Sequence, residues 1–271
     1  NDQATTEIYT LSVQEALPML EADNWALKGS AFSKAGADKK HLITTSIEHH
    51  AITHSMEFLK RQGFRVTYLP VNSDGMVRLE DLENAIEDDT LIVSIMAANN
   101  EIGTVQKLAE IGKLCHDRGV LFHTDAVQAV AHIPLDVKAM NIDMLSMAAH
   151  KFYGPKGVGA LYIRKGLMIE NLIHGGGQEK GRRAGTENVA SIAGMGYAAE
   201  LALSEMEEES KRLSILRDRL IEEITSRVPY TKLNGDQYSR LPNNVNFSFI
   251  GVEGETLLLD LDDAGISAST G

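Results

Sequence analysis

The stretch TLIVSIMAANNEIGTVQKLAEIGKLCHDRGVLFHTDAV (90–127) decides the fold. Its opening run, 90–98, is apolar almost throughout and rich in β-branched residues, the pattern of a strand covered on both faces. Residues 108–119 then place apolar side chains at helical spacing and end on Gly119, a residue suited to a left-handed helix C-terminus. A second β-type run, VLFHTDAV (120–127), follows at once. Strand, crossover helix and strand in this order form a βαβ unit, whose two strands pair in parallel.

The same alternation extends on either side. HLITTSI (41–47) is expected as a strand, 50–62 as a helix stopped by Gly63, FRVTYLPV (64–71) as a strand and RLEDLENAI (78–86) as a short helix. MLSMAA (144–149) is a further apolar strand, and the glycine-punctuated GPKGVGALYIR (154–164) gives a turn and another strand. HGGGQEKGRRAGT (174–186) is a polar, glycine-rich loop. Helical periodicity then runs from about 188 to 228, with an acidic stretch at 205–209 where a bend is expected. Beyond 233 the pattern changes to short strands and one helix. The expected organisation is a segment 1–20, a large α/β domain 21–210 with a mainly parallel sheet and helices on both faces, and a linking helix with the start of a smaller α+β domain over 211–271.

Composition narrows the function. The 271 residues carry 26 Lys and Arg against 38 Asp and Glu, a formal charge of −12, so a nucleic-acid phosphate surface would be repelled. The single cysteine, Cys115, allows neither an intrachain disulfide nor a multi-cysteine metal site, which suits a reducing compartment and makes the cytoplasm the expected location. The longest apolar run, 91–98, is far short of the roughly 20 residues of a membrane span, and the polar start NDQATTE does not read as a signal peptide. No membrane and no nucleic-acid partner are expected.

In open parallel α/β sheets, ligands bind at the carboxyl ends of the strands. Four sets of polar residues lie there: Glu48, His49 and His50; Asn99, Asn100 and Glu101; Asp125 with Gln128; and His150 with Lys151. Parallel strands would bring an imidazole, an amide, a carboxylate and an amine to one crevice, a set that suits a cofactor needing a covalent amine and a paired acid. Each residue also has a plainer reading. Asp125 can cap a helix that follows it, Lys151 can be a solvated lysine, and the glycine clusters can serve turns alone. His49, His50 and His54 with Glu48 hint at a metal site, but no zinc motif with its third ligand is complete and no metal is expected.

TTSIEHHA (44–51), ANNEIGTVQ (98–106), FHTDAVQA (122–129), AHKFYGPKGVGALY (149–162) and HGGGQEKGRRAGTENVA (174–190) resemble, in order, the signature blocks of pyridoxal-phosphate (PLP) cysteine desulfurases of the NifS/IscS family. EADNWALKG (21–29) and RLPNNVNFSF (240–249) match further blocks, so the resemblance covers nearly the whole chain. It implies the class V aminotransferase family and the PLP-dependent transferase fold type I. It makes Lys151 the Schiff-base lysine, Asp125 the partner of the pyridine nitrogen and Gln128 the donor to the ring's phenolic oxygen. His49 becomes the imidazole stacked on the cofactor, and Asn100 the amide near the cofactor's substituents and the substrate carboxylate. His150 becomes a phosphate ligand, and Thr186 the residue that reaches the phosphate of a neighbouring subunit in a homodimer with shared sites. The implied reaction takes L-cysteine to L-alanine, with Lys151 as general base, His49 beside it, and sulfur leaving through an enzyme persulfide to an acceptor protein for iron–sulfur cluster assembly or thiolation.

Three departures accompany the resemblance. The family's catalytic cysteine and the arginine for the substrate carboxylate are expected after a segment like GISASTG, where this sequence stops, and Cys115, at a core position of a helix, reads as an inert buried thiol. The phosphate-cradling glycine-alanine-threonine turn expected before Glu21 is missing at the Leu20–Glu21 junction. Ala148 stands where the family has a phosphate-binding serine, with Ser146 two residues away as a compensating hydroxyl. The expectation is therefore an incomplete record of a longer polypeptide. Selenocysteine lyase, small-amino-acid aminotransferase and a non-catalytic scaffold are the alternative readings; retention of Lys151, Asp125, Gln128 and His49 together disfavours the last.

Overall fold

The computed structural model describes residues 8–12 and 18–270. Strand β1 (Ile8–Ser12) and helix α1 (Pro18–Asn24) come first. A π-helical turn, Trp25–Gly29, and a short helix α2 (Ala35–Asp38) lead into β2 (His41–Thr45), α3 (His50–Arg61), β3 (Arg65–Leu69), α4 (Leu79–Ala85) and β4 (Thr90–Ser94). Then follow α5 (Leu108–Asp117), β5 (Leu121–Asp125), β6 (Met144–Ala148) and β7 (Val158–Ile163). A single 39-residue helix, α6 (Val189–Arg227), precedes β8 (Thr231–Leu233), β9 (Phe247–Phe249) and α7 (Gly254–Asp263).

The large sheet has the order β1-β7-β6-β5-β4-β2-β3. Strands β2 to β6 run parallel to one another, while β7 pairs antiparallel with both β6 and β1 at the edge. The apolar runs are explained by two cores, one per face. Leu42 of β2, Ile92 of β4 and Met144 of β6 pack with Ala22 of α1, Trp25 and Leu27 of the π turn, and Ile52 and Met56 of α3. Their neighbours Ile43, Val93 and Leu145 pack with Leu82, Ile111 and Cys115 from α4 and α5. Each strand feeds both cores, so alternation disappears from its sequence.

Three features differ from the reading of the sequence in detail. Segment 1–20 contributes β1 to the sheet edge, and α1 crosses the Leu20–Glu21 junction as one helix. Residues 205–209 lie inside α6, which runs without a break across position 210, so the acidic stretch is a solvated helix face rather than a bend. The missing turn before Glu21 would fall in α1 and in residues 13–17, which lie outside the described residues.

Candidate active site

Four of the expected sets meet at the carboxyl edge of β2, β4, β5 and β6. After β2 the chain turns so that His49 caps α3: its backbone is extended and its Nδ1 accepts the Ala51 N–H at 3.1 Å. That bond fixes the neutral tautomer with the proton on Nε2. Burial lowers the His49 pKa, followed by the charges of His50, Lys151 and His54. Glu48 points inward instead of joining its histidine neighbours. Its carboxyl accepts the Thr45 hydroxyl at 2.7 Å and the Met96 N–H at 3.0 and 3.1 Å, pinning the turn to the end of β4. Burial pushes its pKa up to about 8.

Asp125 closes β5 and is 4% exposed. Its Oδ1 accepts the Val127 N–H at 3.0 Å, so it caps the following turn, and no α-helix follows there. Burial raises its pKa to about 6, against which the Val127 amide and the Lys151 ammonium both pull. Lys151 lies in a 3-10 turn, Ala149–Phe152, directly after β6, which ends on Tyr153 in a left-handed conformation (φ 63°). Four groups register its charge: Asp125, His49, His150 and, unforeseen from sequence, His132. In each histidine desolvation is the larger cause of a lowered pKa, and the ammonium adds to it. His132 donates from Nδ1 to the Val130 carbonyl at 3.1 Å, leaving Nε2 as an acceptor.

Beneath Asp125 a polar belt crosses three strands on one face. The His123 imidazole bridges the Ser94 hydroxyl at 2.9 Å and the Ser146 hydroxyl at 3.0 Å. Complete burial lowers the His123 pKa to about 3, so the ring is neutral. Asp23 of α1 covers the belt, with Oδ1 3.7 Å from His123 Nε2 and no hydrogen-bond partner for either oxygen among the described residues. Burial and the nearby Asp125 raise its pKa well above the usual value of an aspartate. The belt gives Ser146 a partner the sequence did not indicate: its hydroxyl is engaged by His123.

The remaining expected residues lie at the rim. Gln128 and Asn100 are half-buried, while His150, Lys151 and Thr186 are exposed. No hydrogen bond links Thr186 to the other site residues among the described residues. Its loop is anchored by a contact the sequence reading missed: Arg183 forms a two-pronged ion pair with Glu21 at 2.9 and 3.1 Å, their side chains 11% and 8% exposed. The acidic residue opening EADN and the second arginine of GRRAGT were the available signals. His50 and His54 stack face to face on α3, ring centroids 5.2 Å apart. The one His/carboxylate trio close enough to hold a metal, among the described residues, is His41, Glu87 and Asp89. Its imidazole is already bonded to Thr90 and Thr67, and Arg65 bridges both carboxylates. Cys115 is fully buried and its thiol is pushed up to about 12, which makes it a poor nucleophile.

An amine, a buried carboxylate, a neutral imidazole and two amides at one sheet edge suit a cofactor bearing an aldehyde and a ring nitrogen. The ring end of PLP therefore fits these residues. At the phosphate end Ala148 and Ala149 offer no hydroxyl.

Residues 21–271 match the family described as aminotransferase class-V. The chain is 63% identical over 256 residues to the cysteine desulfurase IscS of Clostridium botulinum (strain Hall), covering 93% of this chain and 64% of that protein. It thus spans less than two thirds of the length of that relative. Among solved structures, a NifS-like protein superposes with a TM-score of 0.90 at 42% identity, over 98% of this chain and 71% of that one. A structure of SspA in complex with cysteine superposes with a TM-score of 0.80 at 35% identity, over 98% and 72%. Among the described residues no helix is long and apolar enough to cross a membrane.

Proposed function

Because the chain belongs to the class V aminotransferase family, we propose that it is the PLP-binding portion of a cysteine desulfurase. The observation that carries this reading is the placement of Lys151, whose charge reaches Asp125 and His49 at one sheet edge. PLP bound there would supply an electron sink for the charge that develops on the Cα of an amino acid. Lys151 would hold it covalently, Asp125 would keep a proton on its ring nitrogen, and Gln128 would donate to its phenolic oxygen. His49 would stack on the ring with Nε2–H available, and His150 would meet the phosphate.

With L-cysteine as substrate, the Lys151 amine takes the Cα proton as general base and returns a proton toward the alanine product. Asn100 orients the substrate carboxylate. Sulfur leaves to a cysteine thiolate other than Cys115, whose thiol is buried in the core, and from that persulfide to an acceptor protein for cluster assembly or thiolation. Thr186, exposed on a loop pinned by Arg183 and Glu21, is suited to reach the phosphate of a second subunit in a homodimer. The lone reduced cysteine is in keeping with a cytoplasmic protein.

Borohydride reduction of the PLP-loaded protein, followed by peptide mass spectrometry, tests the assignment. The pyridoxyl group is expected on Lys151 and is expected to vanish in Lys151→Ala. A pyridoxyl group on any other lysine would overturn the reading.

A further inference from the structure

The loop that carries Asn100 is held from outside the large sheet. Asn99 shapes it first: its Oδ1 accepts the N–H groups of Glu101 and Ile102, both at 2.9 Å. The segment between β8 and β9 then docks on it. Leu241 N–H donates to Gly103 O at 2.9 Å, and Asn246 Nδ2 donates to Glu101 O at 3.1 Å. Asn244 Nδ2 lies between the carbonyls of Glu101 (3.0 Å) and Asn100 itself (3.4 Å). Gly103 adopts φ +72°, and a Cβ there would overlap the Asn244 amide, so the close approach needs glycine.

The direction of the Asn244 amide is fixed independently. Arg240 is 5% exposed, and among the described residues its guanidinium donates to oxygens of this segment: Asp236 O at 2.8 Å, Asn234 O, and Asn244 Oδ1 at 3.1 Å. A guanidinium cannot accept a hydrogen bond, so Asn244 must present its oxygen to Arg240 and its NH2 to the Asn100–Glu101 backbone.

We propose that Asn244, oriented by Arg240, is a positioning residue that sets the height of Asn100 in the crevice. The inference rests on the reading of Asn100 as a residue facing cofactor and substrate. It places a determinant of the site in the segment beyond α6, more than 140 residues along the chain from the loop it controls. Outer-shell hydrogen bonds of this kind orient the groups that touch a ligand.

A double-mutant cycle tests it, with the PLP dissociation constant read by absorbance titration and the melting temperature read alongside. Asn100→Ala is expected to weaken PLP binding about tenfold, and Asn244→Ala about three- to tenfold, the size of losing one or two oriented hydrogen bonds. Asn244→Asp keeps an acceptor for Arg240 but loses both donors, so it should match Asn244→Ala in PLP affinity while melting closer to the parent. In the Asn100→Ala background neither substitution should cause a further loss. An equal loss in both backgrounds, or no loss in the parent, would overturn the inference while leaving the reading of Asn100 intact. Unchanged PLP affinity in Asn100→Ala would overturn that reading and the inference with it.

Discussion

In β4 every side chain is buried and the strand's polar residues, Thr90 and Ser94, are hydrogen-bonded. In α6, 39 residues bury only Met195 and Ile221, while Tyr197, Leu201, Leu203, Ile215 and Leu216 are exposed. The sheet centre is thus held by contacts on two faces; its polar groups Ser94, His123 and Ser146 are bonded in a chain, and Glu48 is bonded to Thr45 and the Met96 amide. The long helix touches the large domain near the 3-10 turn of Lys151, where Met195 packs with Phe152 and Val158. The candidate site residues lie along the sheet edge and in the loops beside it, and the helix contributes none of them.

If that contrast is right, changes at the sheet edge should alter chemistry far more than changes elsewhere. Asp125→Ala should slow Cα-proton exchange of a bound amino acid, followed by NMR in D2O, by roughly a thousandfold or more, since the charge that holds the ring proton is lost. Exchange near the parent rate would leave Asp125 as a turn cap alone.

The Glu21–Arg183 pair should show what it takes to hold the glycine-rich loop against the sheet. Removing one partner of so buried a pair costs about 3–5 kcal/mol, so Arg183→Ala should lower the urea midpoint markedly. A change in unfolding free energy within a few tenths of a kcal/mol would mean that the loop docks without it.

The buried acids give a pH signature. Glu48 keeps its proton to about pH 8 in the fold, against 4.5 when unperturbed. Between these values the native state binds the extra proton, so the contribution of Glu48 is complete below pH 4.5 and is lost as the pH rises toward 8. The stability difference between parent and Glu48→Gln should therefore change by about 1.4 kcal/mol per pH unit at its steepest, read from denaturation curves across that range. His123, lowered to about 3 from 6.5, acts oppositely: its contribution is complete above pH 6.5 and is lost as the pH falls toward 3, a limb both proteins share. A pH-independent difference would show Glu48 to be ionised in the fold.

The smallest expected effect belongs to the phosphate end. With Ser146 committed to His123, Ala148→Ser should tighten PLP binding by about tenfold, the value of one hydroxyl bond to an anion. Equal affinity would place the phosphate contacts elsewhere.

Much of this was legible in the linear sequence. The apolar run of β4, the glycine stop after α5 and the strand of β5 announced a parallel sheet, because strand burial and helix ends depend on local residue type. Lys151, Asp125 and His49 were legible because strand ends converge in such a sheet. The antiparallel edge made by β7 and β1 was not, since an edge strand carries no sequence mark of its partner's direction. Nor was Ser146 legible as a partner of His123: the serine's hydroxyl is chosen by a neighbour on the next strand, 23 residues away.

By itself, the sequence determined the order of elements, the two-faced core and which residue types stand at the ligand edge, all consequences of hydrophobic pattern and chain direction. Only the tertiary structure decided how those residues divide the work. Glu48 turned inward because a buried Met96 amide needed an acceptor, and at Asp125 the Val127 amide and Lys151 work against the upward push of burial. The Asn100 loop is held by a distant segment in which Arg240 bonds the Asn244 amide that meets it. Each of these outcomes depends on distances between segments far apart in the chain, which local sequence does not encode.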